Sequence, residues 1–342
     1  MNSNFYKLAH FLNILPLQVL INSTKKRTIL PFYHVVSNED LIHIKHLYEI
    51  RSIKAFENDL DFFLKYYSPI DYQTFKNQTE NATPFKKNQF LLSFDDGLRE
   101  FHDIIAPILI KKGVPAICFL NSGFIDNKDL FFRFKTSILI EKLISFQKSN
   151  KNQNIITDWF SEKQLSFSNN YKSLFSINYL NKHYIDELAD ILEVDFNEYL
   201  QKHKPYLNTN QINALISQGF EFGAHSIDHP QFSLLKENDQ LIQIEQSIND
   251  ICSKFNLNYK TFSFPFSDFG VSKRFFETIF NSNKPISDLT FGCAGLKNDS
   301  CKKNIQRIPI EINRFSAQDV VRGEYLYYIF KAFLNKNTIF RN

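Results

Sequence analysis

The chain has 342 residues and carries 40 basic against 36 acidic side chains, a net charge of +4. That balance argues against a nucleic-acid partner, which calls for a concentrated basic surface, and the length suits one α/β barrel as well as two average domains. The 37 Phe, set against one Trp and one Met in a chain rich in Asn, Lys and Ile, are read as nucleotide bias and not as an aromatic binding array.

Residues 1–27 form an N-terminal segment in which Phe5 to Ile21 is apolar enough for an amphipathic helix. His10, Asn13, Pro16 and Gln18 interrupt it too often for a membrane span, and no small-residue cleavage site follows. The expectation is a cytoplasmic protein with peripheral contact at the inner membrane surface through this segment. Lys25-Lys26-Arg27 reads as a solvated turn. Thr28 to Tyr33 reads as a first strand that delivers His34 to its end, while His43 and His46 fall in a stretch without a legible pattern.

Gln89 to Ser93 is a short apolar run that stops abruptly at Asp95-Asp96-Gly97, where the glycine permits a tight turn. Phe101, Ile104, Ile105, Ile108 and Leu109 then fall on one helical face, closed by Lys111-Lys112-Gly113, and Val114 to Leu120 is the next strand. About 80 residues, 127–206, follow before the next repeat, where a strand and helix need only about 30 to 40. Leu130, Phe134, Ile138 and Leu139 mark one helix there, Tyr184 to Leu192 a second, and a polar run from Gln147 to Asn154 lies between them. This stretch is read as a helical insertion on the catalytic face. Trp159 within it is read as a core or surface-helix residue.

Asn208-Thr209 caps a helix with apolar Ile212, Leu215 and Ile216, ended by Gly219; Phe220 to Ala224 then leads as a strand into His225. His229 precedes Pro230, which disfavours helix, so both histidines belong to a loop at a strand end. Leu241, Ile244, Ile248, Ile251 and Phe255 share a helical face. Tyr259–Phe264, Leu289–Cys293 and Ile305–Ile310 read as later strands, and 316–342 as a C-terminal helix. The four cysteines, Cys118, Cys252, Cys293 and Cys301, have no Cys-x-x-Cys spacing and read as free thiols.

In a parallel α/β barrel the C-terminal strand ends meet on one face, which would gather Asp95, Asp96, His225 and His229. One carboxylate and two imidazoles are a ligand set for a divalent metal, leaving a second carboxylate free as a base. Taken alone, Asp-Asp-Gly is more often a plain turn, and His-x-x-x-His arises by chance. Asp228, inside the second motif, is read as a loop residue and not a ligand.

With these residues in hand, the chain resembles the polysaccharide deacetylases of carbohydrate esterase family 4, the NodB homology domain. Ser93-Phe94-Asp95-Asp96-Gly97 matches the family's first motif, and His225-Ser226-Ile227-Asp228-His229-Pro230 its second. The resemblance covers 28 to about 125 and 205 to about 312. It implies an irregular (β/α) barrel of the NodB type, residues 28–315 with the insertion at about 127–206. It further implies Asp95 as catalytic base, and Asp96, His225 and His229 as ligands of a divalent metal, usually Zn2+, with Co2+, Ni2+ or Fe2+ as alternatives. Ser263-Phe264-Pro265-Phe266 stands where the family has Arg-x-Pro-Tyr, so the arginine that orients the base is missing at that point. This version is similar to the branch acting on poly-N-acetylglucosamine, and the backbone N–H of Phe266 would help bind the oxyanion. No histidine follows His229, so the family's C-terminal general acid is absent and His34 is the best substitute, ahead of His43 and His46.

The expected activity is metal-dependent removal of N-acetyl, O-acetyl or formyl groups from a surface polysaccharide or a lipid-linked saccharide precursor. The alternative from another class is a non-catalytic saccharide-binding protein on the same scaffold, motivated by the missing arginine and histidine; a spare Asp95 argues against it. A non-haem iron oxygenase would use the same ligand set, but leaves Asp95 without a task. Oligomeric state is not legible in the sequence.

Overall fold

The computed structural model describes residues 5–7, 9, 16–81, 86–147, 153–168, 171–281, 283–312 and 315–342. Eight short parallel strands form its main sheet. In chain order they are β1 (Pro31–Tyr33), β2 (Leu92–Phe94), β3 (Ala116–Leu120), β4 (Glu221–Ala224), β5 (Thr261–Ser263), β6 (Leu289–Gly292), β7 (Asn304–Gln306) and β8 (Ile308–Pro309). The spatial order is β7-β6-β5-β4-β3-β2-β1-β8. Because β7 and β8 are separated only by Arg307, one short stretch of chain pairs with both ends of the sheet. The result is a nearly closed (β/α) barrel of the expected class. The run Ile305–Ile310 is therefore not one strand: β7 pairs with β6 and β8 with β1, and the chain changes partners at Arg307.

Alternation along each strand sets which side chains face inward. On β3, Ile117 and Phe119 join Leu91, Leu289 and Phe291 in the barrel interior, while Ala116, Cys118 and Leu120 pack outward in the large core beneath the helices. The same parity puts Ser93 and Asp95 on the inner side of β2 and its extension, with Leu92 and Phe94 outside. Gly223 sits on the inner side of β4, where a Cβ would lie 2.6 Å from Thr261 and 2.7 Å from Phe119. Glycine there lets the barrel close tightly just before His225.

The surrounding helices follow their local signals. Asn208 caps Thr209–Ser217 with a reciprocal Gln211 bond, and Glu237–Phe255 buries Ile244, Ile248, Ile251 and Phe255. The helix after Asp-Asp-Gly opens with a π-helical turn, Phe101–Ile105, before its α-helical part Ala106–Lys112 and the left-handed cap Gly113. At the N-terminus, Leu17–Thr24 is helical, and Leu17, Leu20 and Ile21 are buried in the main core. Residues 1–4, 8 and 10–15 of the expected amphipathic segment lie outside the described residues. Ala317–Phe333 is helical, and beyond it Thr338–Ile339 pairs with Asn298–Asp299. No described helix is long and apolar enough to cross a membrane.

Between β3 and β4, helices Phe132–Gln147, Gln153–Glu162, His183–Ile191 and Phe196–His203 gather around their own apolar cluster, which includes Trp159, Phe160, Leu143 and Leu188. Part of the polar run 147–154 lies outside the described residues. A third cluster, with Phe131, Phe134, Leu130 and Tyr206, joins this unit to Leu98 and Val35 of the barrel.

Candidate active site

Six residues singled out for chemistry lie just beyond the C-terminal end of a barrel strand: His34 after β1, Asp95 and Asp96 after β2, His225 and His229 after β4, Phe266 after β5. Asp95 continues the inward parity of β2, and His225 that of β4. Asp96 would point outward by parity, but its backbone takes φ +73°, followed by Gly97 at φ +64°, and the chain turns sharply. A Cβ on Gly97 would meet Leu120 at 2.6 Å. Ser226 (φ +73°), His229 (φ +60°) and Phe266 (φ +56°) are also left-handed, a cost held in place by surrounding bonds. Ser226 Oγ accepts from the His229 N–H at 3.0 Å, and Ser122 N–H and Gly123 N–H donate to the carbonyls of Ser226 and Ile227.

Asp96, His225 and His229 are buried, and one ligand atom from each lies within 4.8 Å of the others. Asp96 Oδ1 faces Nε2 of His225 at 3.6 Å and of His229 at 3.2 Å, yet it makes no hydrogen bond among the described residues. A buried carboxylate oxygen without a hydrogen-bond donor, met by two ring nitrogens, fits a cation. The His225 tautomer agrees. Its Nδ1 lies 2.8 Å from the Ser263 carbonyl, which can only accept, so Nδ1 carries the proton and Nε2 keeps its lone pair. Burial lowers the His225 pKa to about 4, so the ring stays neutral.

Asp95 has a different environment. Arg307 grips it with both arms, Nη1 to Oδ1 at 2.8 Å and Nη2 to Oδ2 at 2.7 Å. The same guanidinium donates to Ser93 Oγ and Ser263 Oγ and lies 4.2 Å from the Phe32 ring centroid. Burial alone would raise the Asp95 pKa, but the charge and hydrogen bonds of Arg307 bring it below the ordinary carboxylate value. The arginine missing from the Ser263–Phe266 motif is thus supplied from the β7–β8 switch point.

His34 is 28% exposed, and its Nδ1 lies 2.8 Å from Glu311 Oε2. Glu311, just beyond β8, also accepts from the backbone N–H groups of His34 and Val35. Burial would lower the His34 pKa; the hydrogen bond and charge of Glu311, with Asp96 and Asp95 behind them, raise it to about 9. The ring is therefore protonated at neutral pH. Phe266 is half exposed, and its N–H donates to no protein group among the described residues. Phe131 of the insertion packs against His229 with ring centroids 4.2 Å apart.

Other sequence candidates lie elsewhere. His43 is buried against Phe134 with Nδ1 3.0 Å from the Tyr199 hydroxyl, and His46 Nε2 is 2.6 Å from Glu141; both dock the 39–50 segment on the insertion. Asp228 turns away from the cluster and accepts from Tyr179, Lys182 and Gln243. The four cysteines are free.

The sequence matches the polysaccharide deacetylase family over residues 82–277, more than half of its length. The chain belongs to the polysaccharide deacetylase family. As a member, the deacetylase is an enzyme whose substrate class is acetylated polysaccharide. Its fold is similar to that of Streptococcus pyogenes deacetylase PplD in complex with acetate, at 13% identity and TM-score 0.52, covering 87% of this chain and 97% of that one. IcaB from Ammonifex degensii aligns at 13% identity and TM-score 0.51, with 87% and 97% covered. A polysaccharide deacetylase from Bacillus cereus aligns at 9% identity and TM-score 0.51, covering 87% and 68%. No curated protein sequence matches the deacetylase.

Arg307 and Glu311 were not picked out from the sequence. The one available signal was an arginine in the middle of an apolar strand-like run, Ile305 to Ile310, where a charge needs a buried partner.

Proposed function

We propose that the enzyme is a metal-dependent deacetylase that removes N-acetyl groups from a surface polysaccharide or its saccharide precursor. The observation that carries this reading is the Arg307–Asp95 pair beside the buried Asp96, His225 and His229: a carboxylate held ionised next to a cluster fit for a divalent cation, with Zn2+ the best match to a donor set of one carboxylate and two imidazoles. When bound, such a metal activates water and polarises the acetyl carbonyl.

In this reading Asp95 takes the water proton, held in register by Arg307. The Phe266 N–H stabilises negative charge developing on the acyl oxygen. His34, kept protonated by Glu311, gives its proton to the leaving sugar nitrogen, replacing the histidine that is absent downstream of His229. The insertion 127–206 forms one wall of the site through Phe131, and the domain organisation we propose is a single barrel, 28–315, carrying that insertion. A non-catalytic binding role loses one of its two motives, because the orienting arginine is present as Arg307.

Acetate and formate release by zinc- or cobalt-loaded protein, over N-acetylated, O-acetylated and N-formylated saccharides, tests the proposal with Asp95→Asn as control. Acetate release from N-acetyl sugars that vanishes in the variant is the expected result. Release that persists in Asp95→Asn overturns the assignment of the base.

A further inference from the structure

Tyr48 belongs to the segment that folds over the end of β1, and none of the roles above uses it. Its ring lies against the His34 imidazole, with centroids 5.2 Å apart and planes 35° apart. Together with Glu311 it lines a cavity of about 620 Å³. Its hydroxyl is turned out of solvent and makes no hydrogen bond with any described residue. Three tyrosines elsewhere do donate, Tyr33 to Asp59, Tyr179 to Asp228 and Tyr325 to the Lys26 carbonyl, while the Tyr72 hydroxyl, remote from His34, shares the lack of a partner. Burial first, and then the charges of Asp96 and Glu311, keep the Tyr48 phenol well above its usual pKa, so it remains a donor. A buried donor beside a reaction centre and without an acceptor is costly to keep and calls for a partner.

We infer that Tyr48 is a sugar-contacting residue: its hydroxyl donates to an oxygen of the amino sugar whose nitrogen leaves toward His34, and the adjoining cavity receives the saccharide. This rests on the deacetylase reading, in which His34 marks the leaving-group side and Phe266 the acyl side. The cavity's charge limits the class of saccharide. Its two cations are both committed, Arg51 to Asp59 and Lys45 to Asp40 and Glu141, so neither is open to a polyanion. Neutral or partly deacetylated, cationic amino sugars fit; polymers of uronic acids do not.

Tyr48→Phe removes the hydroxyl and keeps the ring on His34. On β-1,4- and β-1,6-linked N-acetylglucosamine pentamers, kcat/KM falls roughly tenfold, the size of one lost hydrogen bond. Bound metal is unchanged, and the melting temperature holds or rises, because an unpartnered buried hydroxyl has been deleted. In an Asp95→Asn background, which permits binding without turnover, calorimetry shows the pentamer bound more weakly by a similar factor when Tyr48→Phe is added. Unchanged kcat/KM and unchanged affinity overturn the contact. So does a loss of activity that comes with a lowered melting temperature or lost metal, since that signature is structural. If wild-type protein releases no acetate while pentamer affinity still depends on Tyr48, the deacetylation reading fails and the contact stands.

Discussion

Arg307 and Asp95, 212 residues apart in the chain, meet as a two-armed ion pair inside the barrel, with side chains 2% and 3% exposed. The pair joins the first motif to the point where the chain passes from one edge of the sheet to the other. It therefore couples closure of the barrel to the charge state of Asp95.

Arg307→Ala leaves a buried carboxylate without its counter-charge, which costs about 3–5 kcal/mol of stability. Arg307→Lys keeps a charge but loses the fork, and lowers kcat/KM by roughly a hundredfold while metal binding persists. Because Arg307 holds the Asp95 pKa down, the acid limb of the kcat/KM profile moves to higher pH in Arg307→Lys. Chemical denaturation and a pH–rate profile check both halves; an unmoved acid limb argues against Asp95 as the titrating base.

In the proposed mechanism the His34–Glu311 pair sets the alkaline side. With a His34 pKa of about 9, activity that needs its proton falls as pH rises through about 9. Glu311→Gln removes the charge that raises the pKa, so the alkaline limb moves down toward the ordinary histidine range near 6.5. The same shift bears on stability. A pKa raised on folding adds stability that is fully present below about 6.5 and is lost as pH climbs through 9. His34→Ala lowers the rate without emptying the metal site, and an unchanged rate removes it from the mechanism.

His225→Ala and His229→Ala each lose bound metal and activity together, whereas Asp95→Asn keeps its metal and loses turnover. Elemental analysis alongside acetate release separates the two outcomes. Chelation lowers the melting temperature of wild-type protein, because a ligand that binds only the folded state stabilises it by mass action. His225→Ala shows little further drop on chelation.

Asp228 sits between the two histidines in sequence but serves the insertion in space: Tyr179 and Lys182 reach it at 2.8 and 2.6 Å, and Gln243 at 2.9 Å. Asp228→Ala frees the Tyr179 turn from the histidine loop. The expected result is a KM raised roughly three- to tenfold, about 1 kcal/mol of lost binding, with metal retained and faster proteolytic nicking within 171–182. Unaltered KM and nicking would mean that the clasp does not shape the site.

Much of this site was legible in one dimension. Asp95, Asp96, His225 and His229 follow short apolar runs directly, and a strand end with a glycine or proline beside it is a local signal that survives without knowledge of partners. Helix limits at Asn208 and Gly113 were local in the same sense, since capping is settled within a few residues. The α/β class followed from the alternation of strand and helix, and the barrel from the family resemblance that the two motifs carry. What the sequence could not supply were the groups that tune those residues. Arg307 lies in a run that reads as one strand, and Glu311 just beyond it; both gain their roles only because that run pairs with β6 on one side and β1 on the other. Tyr48 likewise meets His34 only when its segment folds over the strand end. The positions of Asp95, Asp96, His225 and His229 were determined by local backbone pattern, whereas their charge partners were decided by barrel closure, because strand pairing across the seam depends on every strand between β1 and β6 being in place.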